Sequence, residues 1–208
     1  MPELRIDALT GQRVIVAGER AGRPGGELRA PDPEPIDPQR DPFAAGHEEQ
    51  TPPELFARRP AGSEPDRPGW SVRVVPNLFP ALVADAAAPE RHANRDLFWS
   101  AAATGAHEVI INAPDPVGSL AELSAEQVIT AVEVWRERMR VHAEAACVHL
   151  IVNERREAGA SLPHTHAQLY ALPFVPADIA RERERFGAYT TRTMGGNLLG
   201  DLVQNEVR

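Results

Sequence analysis

Proline is concentrated in one part of this chain, and its distribution limits where regular structure can form. Ten of the twenty prolines lie between Pro31 and Gly69. Proline lacks a backbone N–H and its ring clashes inside a helix, so this stretch cannot hold a continuous helix or a central strand. We therefore predict a long irregular excursion at residues 31–69. Loops of this length inside compact domains are either functional or disordered.

Alternating apolar and polar residues predict strands on both sides of the excursion. Residues 4–17 fit two strands joined by a turn at Thr10-Gly11. Further strands are predicted at 70–75, 107–112, 148–154 and 163–170. The last two are separated by a loop that begins at Arg155, and we expect them to pair antiparallel.

One helix is predicted after Ser124, which together with Gln127 has the pattern of a capping box. The pattern extends to about Ala146. An apolar stripe at helical spacing is predicted to face the core, and it consists of Val128, Val132, Trp135, Met139 and Ala143. Residues 177–187 and the tail from Asn197 also have helical patterns.

The composition indicates a soluble globular protein and excludes several kinds of chemistry. The net charge of −8 argues against broad nucleic-acid binding. No run approaches eighteen apolar residues and no signal pattern is present, so we expect a cytoplasmic protein without a membrane span. All 22 cationic side chains are arginine, which excludes Schiff-base and phosphate-loop lysines. The single cysteine, Cys147, excludes internal disulfides and multi-cysteine zinc sites.

The strand predicted at 163–170 carries the residues best suited to chemistry. His164, His166, Gln168 and Tyr170 are spaced by two, so a strand would direct them to one face. Three uses fit such a pattern: a solvated strand face, a metal site and a covalent nucleophile. A metal would need further ligands, which this strand does not supply.

A nucleophile is the third use, because a neutral imidazole attacks well near pH 7. His166 could attack a phosphorus atom if an acceptor holds a proton on its other ring nitrogen. Donors to the phosphate oxygens would then be Gln168 on the same face and the small-residue loop from Gly159 to Ser161.

The run from Gly159 to Gln168 resembles the active-site signature of the galactose-1-phosphate uridylyltransferases, the transferase branch of the histidine-triad superfamily. Other stretches resemble the family in the same order: Asp7–Val14, Arg20–Pro24, Thr51–Glu54, Val72–Pro80, His107–Val109 and Val152–Glu154. The resemblance implies an α+β fold, with a histidine-triad-like antiparallel sheet and packed helices. It covers residues 1–176, and the helices predicted at 177–208 would lead towards a second half that this chain lacks.

The resemblance implies a two-step nucleotidyl transfer between a nucleotide sugar and a sugar 1-phosphate. His166 matches the nucleophile and Gln168 the amide that stands where the hydrolase branch has a third histidine. Substrate contacts are implied for Asn77, Asn153, Gly159, Ser161, Arg20 and Arg23. The family's second half helps to bind the sugar, so we expect a homodimer or a missing C-terminal half as partner. The alternatives are an ADP-sugar phosphorylase, a nucleotide hydrolase and a non-catalytic remnant.

The family's metal sites are incomplete in this chain. The resemblance implies a zinc site from a Cys-Pro-x-Cys turn, a histidine after the strand at 107–112, and the first histidine of the signature. Here the turn begins with Asp41, Pro116 occupies the third position, and His164 alone remains. Glu182 matches a ligand of a second metal whose other ligands lie in the absent half. We expect no cofactor, and whether Asp41, His47 or His107 forms a replacement metal site is left open.

Overall fold

A computed structural model describes residues 2–18, 35–90, 94 and 97–207. The chain divides into two compact units, one formed by residues 32–174 and the other by residues 1–31 together with 175–208. The strands are β1 (Glu3–Ile6), β2 (Arg13–Val16), β3 (Phe56–Arg58), β4 (Val72–Pro76), β5 (Ala106–Ile111), β6 (Cys147–Val152) and β7 (His166–Leu172). The helices are α1 (Ala125–Val141), α2 (Ala177–Arg192) and α3 (Leu198–Glu206).

The unit of residues 32–174 contains a five-stranded sheet in the order β3-β4-β5-β7-β6. Every neighbouring pair in this sheet is antiparallel. The prediction of an α+β fold with an antiparallel sheet and packed helices is therefore confirmed. Strands β5 and β7 lie next to each other although 54 residues separate Ile111 from His166, and this pairing brings distant parts of the sequence into one site.

One face of the sheet packs against α1 and forms an apolar core. Most of the alternate strand residues that point to this face are apolar, as a half-buried strand requires. Glu108 of β5 is the exception, and its buried carboxylate binds Arg138 of α1 and His142, the residue that follows α1. The fully buried members of this core are Val72, Val74, Ile110, Ala131, Val134, Ala167 and Leu169. The residues between them point to the opposite face.

Helix α1 differs from its prediction in two respects. It ends at Val141, and only part of the predicted stripe faces the core, because Trp135 packs there while Val132 and Met139 are each 37% exposed. The helix presents Ala131 and Val134 to the sheet, because the small Ala131 allows the helix to approach closely. Ser124 caps the first turn through the Gln127 amide at 3.1 Å. The Gln127 side chain does not complete a capping box.

Gln127 instead joins the helix to two strand ends. Its Nε2 donates to the carbonyl of Ser71 at 2.7 Å, just before β4, and to the carbonyl of Asn112 at 2.6 Å, just after β5. These carbonyls lie where the ladders end, so the side chain satisfies acceptors that would otherwise lack a partner.

The proline-rich excursion is ordered over its described part by a buried arginine. Arg73 in β4 is 1% exposed, and its guanidinium contacts Glu54 at 3.2 Å and Asp66 at 2.7 Å. It also donates to Thr51 Oγ1 at 2.6 Å. The excursion also contains the short strand β3, which the sequence did not predict. It lies at the edge of the sheet, the place where a proline-rich segment can add a strand. The excursion places Phe43 in a second apolar cluster with Trp70, Val75, Val109 and Ile111.

Gly105 precedes β5 and approaches β7 closely. Its φ is +145°, and a Cβ there would lie 2.2 Å from the carbonyl oxygen of Ala171. We expect Gly105→Ala to lower the free energy of unfolding by about 1–3 kcal/mol, because strain at positive φ adds to a clash with backbone. Urea denaturation would measure the loss. Gly118→Ala is the matched control, since its nearest neighbours would be 3.6 Å away, and equal stability of the two variants would contradict the prediction.

The other unit contains the antiparallel pair β1-β2, as predicted, together with α2 and α3. Helix α2 is longer than its prediction and runs from Ala177 to Arg192. Tyr189 donates from its hydroxyl to Asp201 at 2.7 Å and links α2 to α3. In α3, Leu198 is buried, whereas Leu199 and Val203 are about half exposed. None of the helices in the described part of the chain is long and apolar enough to span a membrane.

Candidate active site

The predicted reactive face exists on β7, on the side of the sheet opposite α1. His166, Gln168 and Tyr170 alternate with the core residues Ala167, Leu169 and Ala171. Strand β5 places Ile111, Val109 and His107 directly across from these three residues. The predicted strand began too early, because His164 lies before β7 and its side chain is fully buried.

His166 has the hydrogen bond that a nucleophilic imidazole needs. Its Nδ1 lies 2.7 Å from the carbonyl oxygen of His164. A carbonyl can only accept, so Nδ1 carries the proton and Nε2 keeps its lone pair. Burial lowers the pKa of His166, which is 6% exposed, below the usual value of 6.5. The ring is therefore neutral at pH 7, and the ring of Phe43 contacts it edge-on at a centroid distance of 5.2 Å.

His164 has a polar partner at each of its ring nitrogens. Its Nδ1 contacts Asp41 Oδ2 at 2.6 Å, and its Nε2 contacts the carbonyl of Ala113 at 2.9 Å. Asp41, from the proline-rich excursion, is itself buried and also accepts from the Phe43 amide at 3.0 Å. The contact supplies the partner that the sequence alone did not give to His164.

The residues at the family's zinc positions do not fit a zinc ion. Asp41 and His164 contact each other, and Ala44 and Pro116 have no ligand atom in their side chains. The imidazole of His47 contacts the backbone carbonyl of Asp41, at 2.7 Å from Nδ1. Within residues 2–18, 35–90, 94 and 97–207, no three His, Cys, Asp or Glu side chains are grouped as metal ligands. We derive no chemical step through a metal.

Gln168 is held by two residues whose role the sequence did not reveal. Its Oε1 lies 2.9 Å from His107 Nε2 and 2.9 Å from the hydroxyl of Tyr170. The rings of His107 and Tyr170 stack with centroids 4.1 Å apart. Burial lowers the pKa of His107 and raises that of Tyr170, so both remain uncharged at pH 7. Asn77 lies beside them, with its Nδ2 3.1 Å from His107 Nε2.

Of the other predicted substrate contacts, three lie near the start of β7, at the opposite end of that strand from Asn77 and His107, and two fall outside the described residues. Asn153 directly follows β6, whose last residue, Val152, pairs with Ala167. Gly159, with φ of +86°, and Ser161 lie in the loop between β6 and β7. Arg20 and Arg23 fall outside the described residues. Glu182 lies in α2, in the other unit.

Thr165, between the two histidines, is anchored from the loop and the sheet. Its hydroxyl accepts from Asn112 Nδ2 at 3.2 Å and donates to Glu154 at 3.3 Å. Trp135 of α1 donates in turn to Asn112 Oδ1 at 3.0 Å. The backbone between His164 and His166 is thus connected to the helix on the opposite face.

The lowered pKa values of His107 and His166 predict a pH-dependent stability. Below about pH 6.5 the unfolded chain binds more protons at these histidines than the folded chain does. The free energy of unfolding should therefore fall as the pH falls, by up to about 1.4 kcal/mol per pH unit for each histidine. Urea denaturation between pH 7.5 and 5.5 would measure this slope. His107→Gln and His166→Gln should each flatten it, and slopes equal to that of the parent chain would contradict the prediction.

Comparison with known proteins places this site in a family. The family model for the N-terminal domain of galactose-1-phosphate uridyl transferase matches residues 1–176. A protein named ADP-glucose phosphorylase from Arabidopsis thaliana is 30% identical over 86% of this chain and 51% of its own length. A galactose-1-phosphate uridylyltransferase from Haemophilus influenzae is 34% identical over 64% of this chain and 38% of its own.

The fold comparison agrees with these matches. The crystal structure of an Arabidopsis thaliana ADP-glucose phosphorylase with bound ADP-glucose superposes with a TM-score of 0.70 at 26% identity. The similarity covers 93% of this chain and 56% of that one. The chain spans about half the length of the Arabidopsis relative. With its antiparallel sheet and its His-Thr-His-Ala-Gln segment at the start of β7, the chain belongs to the galactose-1-phosphate uridyl transferase family, and residues 1–176 correspond to the N-terminal domain.

Proposed function

We propose that this chain carries the nucleotidyl-transfer site of a nucleotide-sugar enzyme. The substrates are a nucleotide sugar of the UDP-glucose type and a sugar 1-phosphate of the galactose 1-phosphate type, and His166 is the covalent nucleophile. The observation that carries the proposal is the bond from His166 Nδ1 to the His164 carbonyl at 2.7 Å. This bond fixes the tautomer in which Nε2 has a free lone pair.

The reaction has two displacements at the same phosphorus atom. His166 Nε2 attacks the α-phosphorus of the nucleotide sugar and forms a P–N bond. The bond from that phosphorus to the bridging oxygen breaks, and sugar 1-phosphate leaves with the electron pair. A phosphate oxygen of the second sugar 1-phosphate then attacks the same phosphorus, and the P–N bond breaks to return neutral His166.

Gln168 is the proposed donor to a phosphoryl oxygen. A carboxamide can donate to the charge that is redistributed in the transition state, but it cannot transfer a proton to or from water. This difference favours transfer over hydrolysis. Asn77, Asn153, Gly159, Ser161, Arg20 and Arg23 remain the proposed contacts to the substrate.

A second candidate is the phosphorolysis of an ADP-sugar. It is favoured by the similarity to the Arabidopsis ADP-glucose phosphorylase in both sequence and structure. The first displacement is the same. The acceptor in the second is inorganic phosphate, whose attack on the nucleotidyl-histidine gives a nucleoside diphosphate.

Trapping of the covalent adduct tests the proposal. The purified chain is mixed with UDP-glucose or ADP-glucose, quenched in alkali, and analysed by mass spectrometry for an acid-labile nucleoside monophosphate on His166. The donor that gives an adduct identifies the base. Addition of galactose 1-phosphate or of phosphate to the adduct then distinguishes transferase from phosphorylase. No adduct with either donor would contradict both candidates and leave the hydrolase and the non-catalytic remnant.

We also propose that sugar binding uses residues beyond this chain, from a second half or from a second copy. The family relatives above are about twice as long as the matched region, which supports this proposal. Sedimentation velocity with and without the nucleotide sugar tests the second copy. The role of a second copy would be contradicted if the chain stays monomeric with the nucleotide sugar and forms the adduct without loss of rate.

A further inference from the structure

The ring of His107 makes three polar contacts. Its Nδ1 accepts from the backbone amide of Ala81 at 3.0 Å. Its Nε2 is 2.9 Å from Gln168 Oε1 and 3.1 Å from Asn77 Nδ2. The ring is 7% exposed, so these contacts decide its protonation state in place of water.

The backbone amide of Ala81 fixes the tautomer of His107. An amide N–H can only donate, so Nδ1 must provide the lone pair. Burial lowers the pKa of the ring, which is therefore neutral, and a neutral imidazole carries its single proton on the other nitrogen. Nε2 is then a donor, and the acceptor within reach is Gln168 Oε1.

The same reasoning fixes the orientation of both neighbouring carboxamides. Gln168 Oε1 accepts hydrogen bonds from His107 Nε2 and from the Tyr170 hydroxyl. Asn77 Oδ1 receives the backbone amide of Phe79 at 2.9 Å. Asn77 Nδ2 cannot donate to a nitrogen that already carries a proton, so its contact with His107 is not a hydrogen bond. Both amides therefore have their oxygens engaged and their NH2 groups available to a ligand.

We propose that His107 and Tyr170 are positioning residues that hold the Gln168 carboxamide with its oxygen turned to them and its NH2 group presented to the substrate phosphate. This inference rests on the proposed function. Gln168 lies two residues from His166 on one strand face, where neighbouring side chains reach the same ligand.

The orientation matters because the oxygen of a carboxamide carries a negative partial charge and its NH2 group a positive one. A flipped Gln168 would turn an oxygen lone pair towards the anionic phosphoryl group and repel it. An unrestrained amide would spend part of its time in that state. Two donors on Oε1 remove the ambiguity before the substrate arrives, which is the preorganisation that stabilises a developing charge.

The first experiment reads the orientation without any reaction. In 15N-labelled chain, long-range 1H–15N correlation of His107 should show the proton on Nε2 and a bare Nδ1. The Gln168 NH2 resonances, assigned by their loss in Gln168→Ala, should shift in Tyr170→Phe and respond to UMP or AMP in the parent chain. A proton on Nδ1, or unchanged Gln168 resonances in Tyr170→Phe, would overturn the inference whether or not the chain transfers a nucleotide.

The second experiment measures coupling through Gln168. Tyr170→Phe and His107→Phe each remove one donor, and the second keeps a ring to stack. Each should slow adduct formation about tenfold, the equivalent of one hydrogen bond of about 1.4 kcal/mol. His107→Gln replaces the Nε2–H with an amide N–H and should recover part of the loss.

The control is the Gln168→Ala background. If the two residues act through Gln168, neither Phe substitution should slow that variant further. A further tenfold loss there would show a merely structural role and overturn the inference. If the parent chain forms no adduct, the proposed function fails and the resonance measurement alone decides the inference. Tyr170→Phe keeps the test valid if His107→Phe fails to fold, because it removes a single oxygen from a half-buried ring.

Discussion

His166→Gly is expected to lower the rate of nucleotidyl adduct formation by about 10⁴-fold or more, the scale seen when a covalent nucleophile is removed. The Nε2 lone pair that the His164 carbonyl leaves free is the only attacking atom in the proposed step. Glycine removes the ring without adding a side chain that could clash with Phe43. Rapid-quench measurement with the donor found in the trapping experiment would give the rate.

His149→Ala is the matched control for this variant. His149 lies on the edge strand β6, pairs with Tyr170, and has no role in the proposed chemistry. Its substitution should leave adduct formation within a few-fold of the parent chain, because His149 is partly exposed on an edge strand and takes no part in the contacts described above for His166 and Gln168. Adduct on the His166→Gly variant, or an equal loss in His149→Ala, would contradict the assignment of His166 as nucleophile.

Asp41→Ala is expected to lower the free energy of unfolding by about 1–3 kcal/mol, the cost of leaving a buried polar group without its hydrogen-bond partner. His164 is fully buried, and both its ring nitrogens face acceptors. The Ala113 carbonyl can only accept, so Nε2 carries a proton, and the contact at Nδ1 is the one with Asp41 Oδ2. Without the carboxylate, that part of the ring has no partner in the interior.

The same substitution should also slow the proposed reaction, since the carbonyl of His164 holds the proton on His166 Nδ1. Urea denaturation and adduct formation would be measured together. Asp41→Asn keeps an oxygen that can accept from Nδ1, so it should be milder than Asp41→Ala. Asp85→Ala, at an exposed position, is the control. A stability of Asp41→Ala within about 1 kcal/mol of the Asp85→Ala control would contradict the pairing.

The local part of this fold could be predicted from the sequence, and the reactive strand is the best example. Strict spacing by two put His166, Gln168 and Tyr170 on one face, because strand geometry depends only on neighbouring residues. His164 broke the pattern, since its side chain is fixed by Asp41, 123 residues away in sequence. No local spacing could show that contact.

The residues around Gln168 were missed for the same reason. From the sequence, His107 is the first residue of a predicted strand that resembles the family and an open candidate for a replacement metal site, without a link to Gln168. Its role depends on β5 pairing with β7 in the register that sets His107 against Tyr170, and that register is a long-range property. The alternation of His107 and Val109 with Glu108 and Ile110 indicates that the first pair shares one strand face. It does not indicate which strand lies beside that face.

Helix α1 shows a different limit. Its stripe was chosen by size and apolarity, which favoured Val132 and Met139 over Ala131. The angle at which the helix lies on the sheet places Ala131 and Val134 in the core and leaves Val132 and Met139 partly exposed. Gln127 likewise had a local partner available and takes the two strand-end carbonyls instead.

The alternation along β7 divides the work of one segment between two sets of residues. Ala167, Leu169 and Ala171 hold the strand against the helix, and His166, Gln168 and Tyr170 face away from them. Substitutions at the second set can therefore change specificity or reaction type while the first set keeps the fold. An insertion of one residue would exchange the two sets and destroy both at once. Variation of this chain should accordingly change positions 166, 168 and 170 and keep positions 167, 169 and 171.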